Sequence, residues 1–253
     1  VTTDERQEID LIESLDGEVF KLPLAIMRDC GPATQTFAGI LKVTNRETFT
    51  ATKQIATKAR LPLRTVRRHI EILGSVGYIA DRGREHTRAG RPRRTCTRAI
   101  TAKARTAMES YGLLPWWACC EIRRVGRLPW CARAVLSIVL ARLASLKKVL
   151  DEQDGHGCDS GDVWGSIANM GDADRFGFPL WRLEADTGLA RPAIVDAKRW
   201  LYQRAIVQWC RSERDDGGSD TDILMPRDDF RVVVIPASPG HVFLEFSSEK
   251  VPG

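Results

Sequence analysis

Histidine, tyrosine and methionine are scarce in this chain, with four, three and four residues among 253. Long apolar runs are missing as well. The most apolar stretch, from Ala132 to Leu146, is interrupted by Arg133 and Arg142, short of the roughly 18 to 20 apolar residues that a membrane span requires. The opening VTTDERQEID has neither the basic start nor the apolar run of a secretory leader. A cytoplasmic protein without a membrane partner is expected. Metal-ligand patterning is also absent. The seven cysteines, at 30, 96, 119, 120, 131, 158 and 210, are odd in number, and a zinc site needs four ligands, usually in short-spaced pairs. Cys119, Cys120 and Cys131 offer an adjacent pair and a loner, and His156-Gly-Cys158 has no second half. Reduced thiols and no structural metal are expected.

Catalytic signatures are missing too. There is no GxxxxGK[ST] loop, no HExxH and no nucleophile elbow. His69, His86, His156 and His241 do not cluster, and Tyr78, Tyr111 and Tyr202 lack the metal-binding histidine pair that a nicking initiator needs. Asp215-Asp216 and Asp228-Asp229 sit in charge runs and read as solvated surface. The expectation is a protein that is not an enzyme and uses no cofactor.

Charge is abundant, and it is unevenly placed. The formal net charge is only +5, but between Lys53 and Arg105 fifteen basic residues stand against Glu71, Asp81 and Glu85, an excess of twelve. Acidic stretches, DEQDGHGCDSGD at 151–162 and SERDDGGSDTD at 212–222, restore the balance. A basic block of this kind implies a polyanionic partner.

The apolar spacing organises that block. Ala33–Val43 is predicted as a helix, and 50–59 as a second one carrying Ile55 and Ala59 four apart. Pro62 can open a further helix, whose stripe of Val66, Ile70 and Leu73 is spaced four and three. Gly77 suits a left-handed exit. Tyr78–Ala80 reads as a strand, the Arg/Gly-rich run 81–94 as a loop, and Thr95–Ile100 as the returning strand. The run LPLRTVRRHIEILGSVGYI, 61–79, resembles the bacterial winged helix-turn-helix families over roughly 49–100. It departs from their pattern at Pro62, where a serine cap is usual, and at His69, where alanine is preferred. The resemblance implies duplex-DNA binding and serves transcription regulators and plasmid replication initiators alike.

The second half repeats the first. At an offset of 128 residues Ile55 falls on Leu183, Ala59 on Thr187, Leu61 on Leu189, Val66 on Ile194, Leu73 on Leu201 and Ile79 on Val207, without a gap. The repeat's first helix would be Ala132–Leu150, its second 180–187 and its third 192–203, with a strand from Val207. Phe230–Ile235 and His241–Phe246 are expected to pair across a turn. The fold class expected is mainly α with small β-hairpins (α+β): two tandem winged helix-turn-helix domains, at 1–112 and 131–253, joined by a tryptophan-rich linker at 113–130. That linker reads as packed rather than as a base-stacking surface, because aromatic residues bury a large area.

With Val66, Ile70 and Leu73 inward, the third helix of the first unit presents Leu63, Arg64, Thr65, Arg67 and Arg68. Arginine can bridge guanine O6 and N7 in the major groove, and Arg64 and Arg68 share one helix side. Lys53 and Lys58 suit backbone phosphates. The loop carries Arg82, Arg84, Arg88, Arg91, Arg93 and Arg94, and its Gly90-Arg-Pro is similar to minor-groove hooks. In the second unit Arg191, Lys198 and Arg199 are the candidate DNA contacts, beside an acidic loop that would repel phosphate. That unit either reads DNA by its helix or serves as a homodimer or host-protein interface. The expected function is sequence-specific binding of duplex DNA in the nucleoid, as a replication initiator or maintenance protein of a plasmid or mobile element. A dimeric transcriptional repressor and a structural adaptor acting through protein contacts are the alternatives.

Overall fold

The computed structural model describes residues 7–43, 48–49, 52–82, 98–154, 176–212, 221–238 and 241–247. The chain divides into two compact units, one made of 20–111 with 186–188 and the other of 1–19, 112–185 and 189–253. Both belong to a mixed α+β fold, mostly helical with small antiparallel hairpins.

In order along the chain, β1 (Gln7–Asp10), α1 (Glu13–Asp16) and β2 (Val19–Pro23) come first. Then follow α2 (Leu24–Cys30), α3 (Ala33–Val43), β3 (Thr48–Phe49), α4 (Thr52–Ala59), α5 (Leu63–Ser75), β4 (Ile79–Asp81), β5 (Arg98–Ile100) and α6 (Ala102–Thr106). Strand β1 pairs with residues 231–234, and the helix α1 begins at Glu13. Asp10 Oδ1 accepts from the Glu13 backbone N–H, and Glu13 Oε2 accepts from that of Asp10, so reciprocal side-chain bonds stop the strand and start the turn.

The unit holding 20–111 is built on α3, α4 and α5, whose apolar faces meet in a core of Phe37, Ile40, Ile55, Val66, Ile70, Leu73, Tyr78 and Ile79. Helices α3 and α4 touch backbone to backbone: a Cβ built on Gly39 would lie 2.6 Å from that of Ala59. Gln35 Nε2 donates to the Ala59 carbonyl at 2.7 Å across the same contact. Pro62, with ψ 142°, is the N-cap of α5, and its ring supplies the helix entry in place of a capping hydroxyl. Gly77 adopts φ +83°, the left-handed exit expected of it. A three-stranded sheet in the order β3-β5-β4 follows, all antiparallel.

The other unit contains β6 (Tyr111–Pro115) from Gly112 onward, β7 (Glu121–Ile122), β8 (Gly126–Arg127) and the long α7 (Trp130–Asp154). It continues with α8 (Leu180–Thr187), which ends at the edge of this unit, α9 (Arg191–Gln203), β9 (Val207–Ser212), β10 (Thr221–Pro226), β11 (Arg231–Ser238) and β12 (His241–Ser247). Leu136, Val139, Leu140 and Leu143 of α7 are buried, as their spacing predicts. A five-stranded sheet runs β1-β11-β12-β7-β8, and β9 pairs with β10 separately. Residues expected as a linker supply two strands of that sheet and its core. Trp117 is fully buried and meets Phe230 and Phe246, with ring centroids 5.5 and 6.1 Å away.

The internal repeat extends to the backbone. Helices α4 and α8, and likewise α5 and α9, start and stop 128 residues apart, and β4 and β9 begin at the same offset. The left-handed positions coincide as well: Arg60 (φ +53°) with Gly188 (φ +69°), and Gly77 with Ala205 (φ +53°). Ile55 and Leu183, Val66 and Ile194, Leu73 and Leu201, and Ile79 and Val207 are all buried.

Candidate nucleic-acid interface

Helix α5 is strongly two-faced. Val66, His69, Ile70 and Leu73 are buried, whereas Arg64, Arg67, Arg68 and Glu71 are exposed and Thr65 is half-buried. Leu63 is exposed at the first turn. His69, the departure from alanine, is satisfied inside: its Nδ1 lies 2.8 Å from the Thr36 hydroxyl of α3. The hydrogen bond ties the helix to the core and keeps the arginine face outward. On α4, Lys53 and Lys58 are exposed beside buried Ile55, Ala56 and Ala59.

None of Lys53, Lys58, Arg64, Arg67 or Arg68 has a carboxylate within ion-pairing distance among the described residues. Other basic residues of the block serve the fold. Arg98 pairs with Asp81 at 2.9 Å, linking β5 to β4, and Lys103 donates to the Val76 carbonyl while its Nζ sits 4.5 Å from the Tyr78 ring centroid. Behind them, the Tyr78 hydroxyl donates to Asp29 Oδ2 at 2.6 Å. Burial, and then this bond, push its phenol above the usual range, and burial and the Asp29 charge push the Cys30 thiol up to about 11. Arg82 is exposed at the end of β4. Arg84, Arg88, Arg91, Arg93 and Arg94 lie outside the described residues.

The second unit differs at the matched positions. Lys53, Lys58, Arg64, Arg67 and Arg68 are replaced by Trp181, Asp186, Pro192, Val195 and Asp196. Lys198 corrects the sequence-based expectation. It occupies the place of buried Ile70, is itself fully buried, and pairs at 2.5 Å with Asp222, which also accepts from Trp209 Nε1 at 3.0 Å. Its amine faces the interior of the unit, so it is withdrawn from any surface contact. Asp222, assigned by its sequence to the acidic loop, belongs to β10 and to this pair. Arg191 and Arg199 are exposed, but both are engaged, Arg191 with Glu184 at 3.0 Å and Arg199 with Asp196 at 3.4 Å.

A further basic cluster is not announced by the sequence pattern. The hairpin β7–β8 exposes Arg123, Arg124 and Arg127 within the tryptophan-rich segment 113–130. Its turn lacks the Asn-Gly or Asp-Gly pair that would have flagged it. No group of three or more His, Cys, Asp and Glu among the described residues could hold a metal ion, and no described helix is long and apolar enough to cross a membrane.

No protein-family model and no curated protein matches the chain. A solved structure, the DIP2311 protein from Corynebacterium diphtheriae, matches over 85% of this chain at 15% identity with a TM-score of 0.18. The chain covers 29% of that protein's length, and so distant a likeness carries no argument about fold or function.

Proposed function

We propose that this chain is a non-catalytic, sequence-specific duplex-DNA-binding protein built from two winged helix-turn-helix units, the first of which reads the base sequence. The observation that carries the reading is helix α5, which holds Arg64, Arg67 and Arg68 exposed, and without a carboxylate partner among the described residues, on the face opposite Val66, Ile70 and Leu73. An α-helix of this kind fits the major groove, where arginine distinguishes guanine by two parallel hydrogen bonds. The element order α3-β3-α4-α5-β4-β5 with the strand order β3-β5-β4 supports a winged-helix reading of this unit, and the arginine-rich residues fall in sequence between β4 and β5. The wing would reach an adjacent minor groove, whose concentrated negative potential favours arginine.

The replication or maintenance role for a plasmid or mobile element rests on the duplication. Two winged units in one chain suit an initiator that spans repeated sites, whereas a repressor more often carries one such unit and dimerises. Exchange of the basic positions for Trp181, Asp186, Pro192, Val195 and Asp196 supports a second unit that does not read bases with α9. A nuclease-protection experiment on genomic fragments tests the reading. Direct repeats protected over more than one helical turn per chain favour an initiator, and an inverted pair beside a promoter favours a repressor. Binding should weaken steeply with salt, with a log–log slope steeper than about −4. A flat salt dependence would remove DNA as the partner.

A further inference from the structure

We propose that the β7–β8 hairpin is a second nucleic-acid contact, in which Arg123, Arg124 and Arg127 grip the phosphate backbone of duplex DNA. The proposal rests on the DNA-binding reading above and adds a contact from the other unit.

Three observations carry it. The first is concentration of charge. Arg123, Arg124 and Arg127 are exposed within five residues, and the only acidic residue of the hairpin is Glu121, opposite Arg127 in the strand register. No carboxylate lies within ion-pairing distance of any of the three among the described residues. Elsewhere in the same unit Arg191 pairs with Glu184, Arg199 with Asp196 and Arg227 with Asp229, while Arg231 donates to backbone carbonyls and Arg204 stacks on the Trp200 ring. The hairpin thus gathers three exposed guanidinium groups on one turn, each engaged by no other side chain in the way those arginines are, among the described residues.

The second observation is a firm base under an exposed tip. Ile122 pairs in parallel with Leu244 of β12, and the Arg123 backbone N–H donates to the Leu244 carbonyl at 2.7 Å. Ile122 and Leu244 are buried, as are Trp117 and Phe230 of the same unit's core. The Val125 N–H closes the turn onto the Ile122 carbonyl at 3.1 Å. A cation held on a fixed turn loses less freedom on binding phosphate than one on a loose loop.

The third observation is backbone strain at the tip. Arg124 stands at φ +65°, a left-handed conformation that glycine or asparagine adopts at lower cost. The turn thus carries a long cationic side chain at a position whose backbone favours a small residue. Phosphate oxygens are the ligand chemistry that three forked, permanently charged guanidinium groups recognise. The contact is sequence-independent, which complements base reading by α5 and gives the second unit a role where α9 carries Pro192, Val195 and Asp196 at the positions of Arg64, Arg67 and Arg68.

The test uses the full chain and duplexes containing a protected site. The variant R123Q/R124N/R127Q removes the charges and places asparagine at the left-handed position, and R123K/R124K/R127K retains them. Counterion release of about 0.9 per phosphate predicts a log–log salt slope shallower by about 2 to 3 for the neutral variant. Its affinity should fall by the same factor on cognate and random duplex, and the lysine variant should keep the slope within about one unit of the parent. Unchanged melting temperatures establish that both variants fold. If the parent binds duplex steeply and the neutral variant keeps its slope and affinity, the hairpin proposal is overturned while DNA binding stands. If the parent protein itself binds no duplex, both fall together. Weakened binding by the lysine variant equal to that of the neutral one also overturns the proposal, since it would assign the effect to shape and not to charge.

Discussion

Lys198 and Asp222 form an ion pair inside the second unit, with the lysine at the position that Ile70 fills in the first. The substitution of a charge for an apolar side chain at the centre of a repeated helix is tolerated because Asp222 supplies the counter-charge. Trp209 Nε1, donating to the other carboxylate oxygen, holds that counter-charge in place.

A buried charge left without its partner is costly, whereas an apolar pair of similar volume is not. Lys198→Ala should therefore destabilise this unit by about 3 kcal/mol. The double variant Lys198→Ile/Asp222→Asn, which restores the residue type of the first unit, should recover most of that loss. Denaturant unfolding of the two proteins measures it. A single variant as stable as the parent would show that the pair contributes nothing.

Close packing of α3 on α4 makes a second expectation. A methyl group at Gly39 would sit 2.6 Å from the Ala59 Cβ and 3.0 Å from its backbone nitrogen, and neither can move without displacing α4. Gly39→Ala gains helix propensity but should still destabilise the first unit, by about 1–3 kcal/mol. Thermal unfolding of the variant decides it, and a raised melting temperature would mean the two helices separate freely.

Much of this was legible from spacing alone. The bounds of α3, α8 and the inward face of α7 follow from apolar periodicity, and the left-handed exit of α5 from Gly77. What was not legible depends on partners distant in sequence. Gln7–Asp10 becomes a strand because residues 231–234 offer it an edge, a pairing that no local pattern announces. Lys198 reads as surface because lysine is seldom buried, and its counter-charge lies 24 residues on. The arginines of the β7–β8 hairpin were hidden because its turn places Arg124 in the left-handed region and offers Gly126 without the Asn-Gly or Asp-Gly pair that marks a tight hairpin.

Alkaline pH should act on the first unit through Cys30 and Tyr78. Both groups are held in their neutral, protonated forms, with Cys30 raised to about 11, mainly by burial. A raised folded-state value means the stabilisation is complete below the unfolded-state value, about 8.5 for a thiol. It declines above that and is gone once the pH passes about 11. Cys30 should resist iodoacetamide at pH 8 and react increasingly as the pH approaches 11, followed by peptide mapping. Rapid labelling at pH 8, at the rate of an unfolded thiol, would contradict the buried environment.

The proposed base reading by α5 makes the last expectation, and it separates recognition from simple attraction. Arg64 and Arg68 lie four apart on the exposed helix face, one turn of helix, so each can meet a different base edge in one groove. Removing a side chain that bridges guanine leaves that base without its partner, whereas removing one that touches phosphate leaves every sequence equally weakened. Arg64→Ala and Arg68→Ala should each lose about 1–3 kcal/mol on the cognate site and much less on random duplex, relaxing preference at one base pair. Lys53→Ala, on α4, should weaken both duplexes by one common factor and make the salt slope shallower by about 1. Competition binding with single-base variants of a protected site reads all three proteins against the parent. Equal losses on cognate and random duplex for Arg68→Ala would mean that α5 supplies only charge, and base recognition would have to be sought in another element.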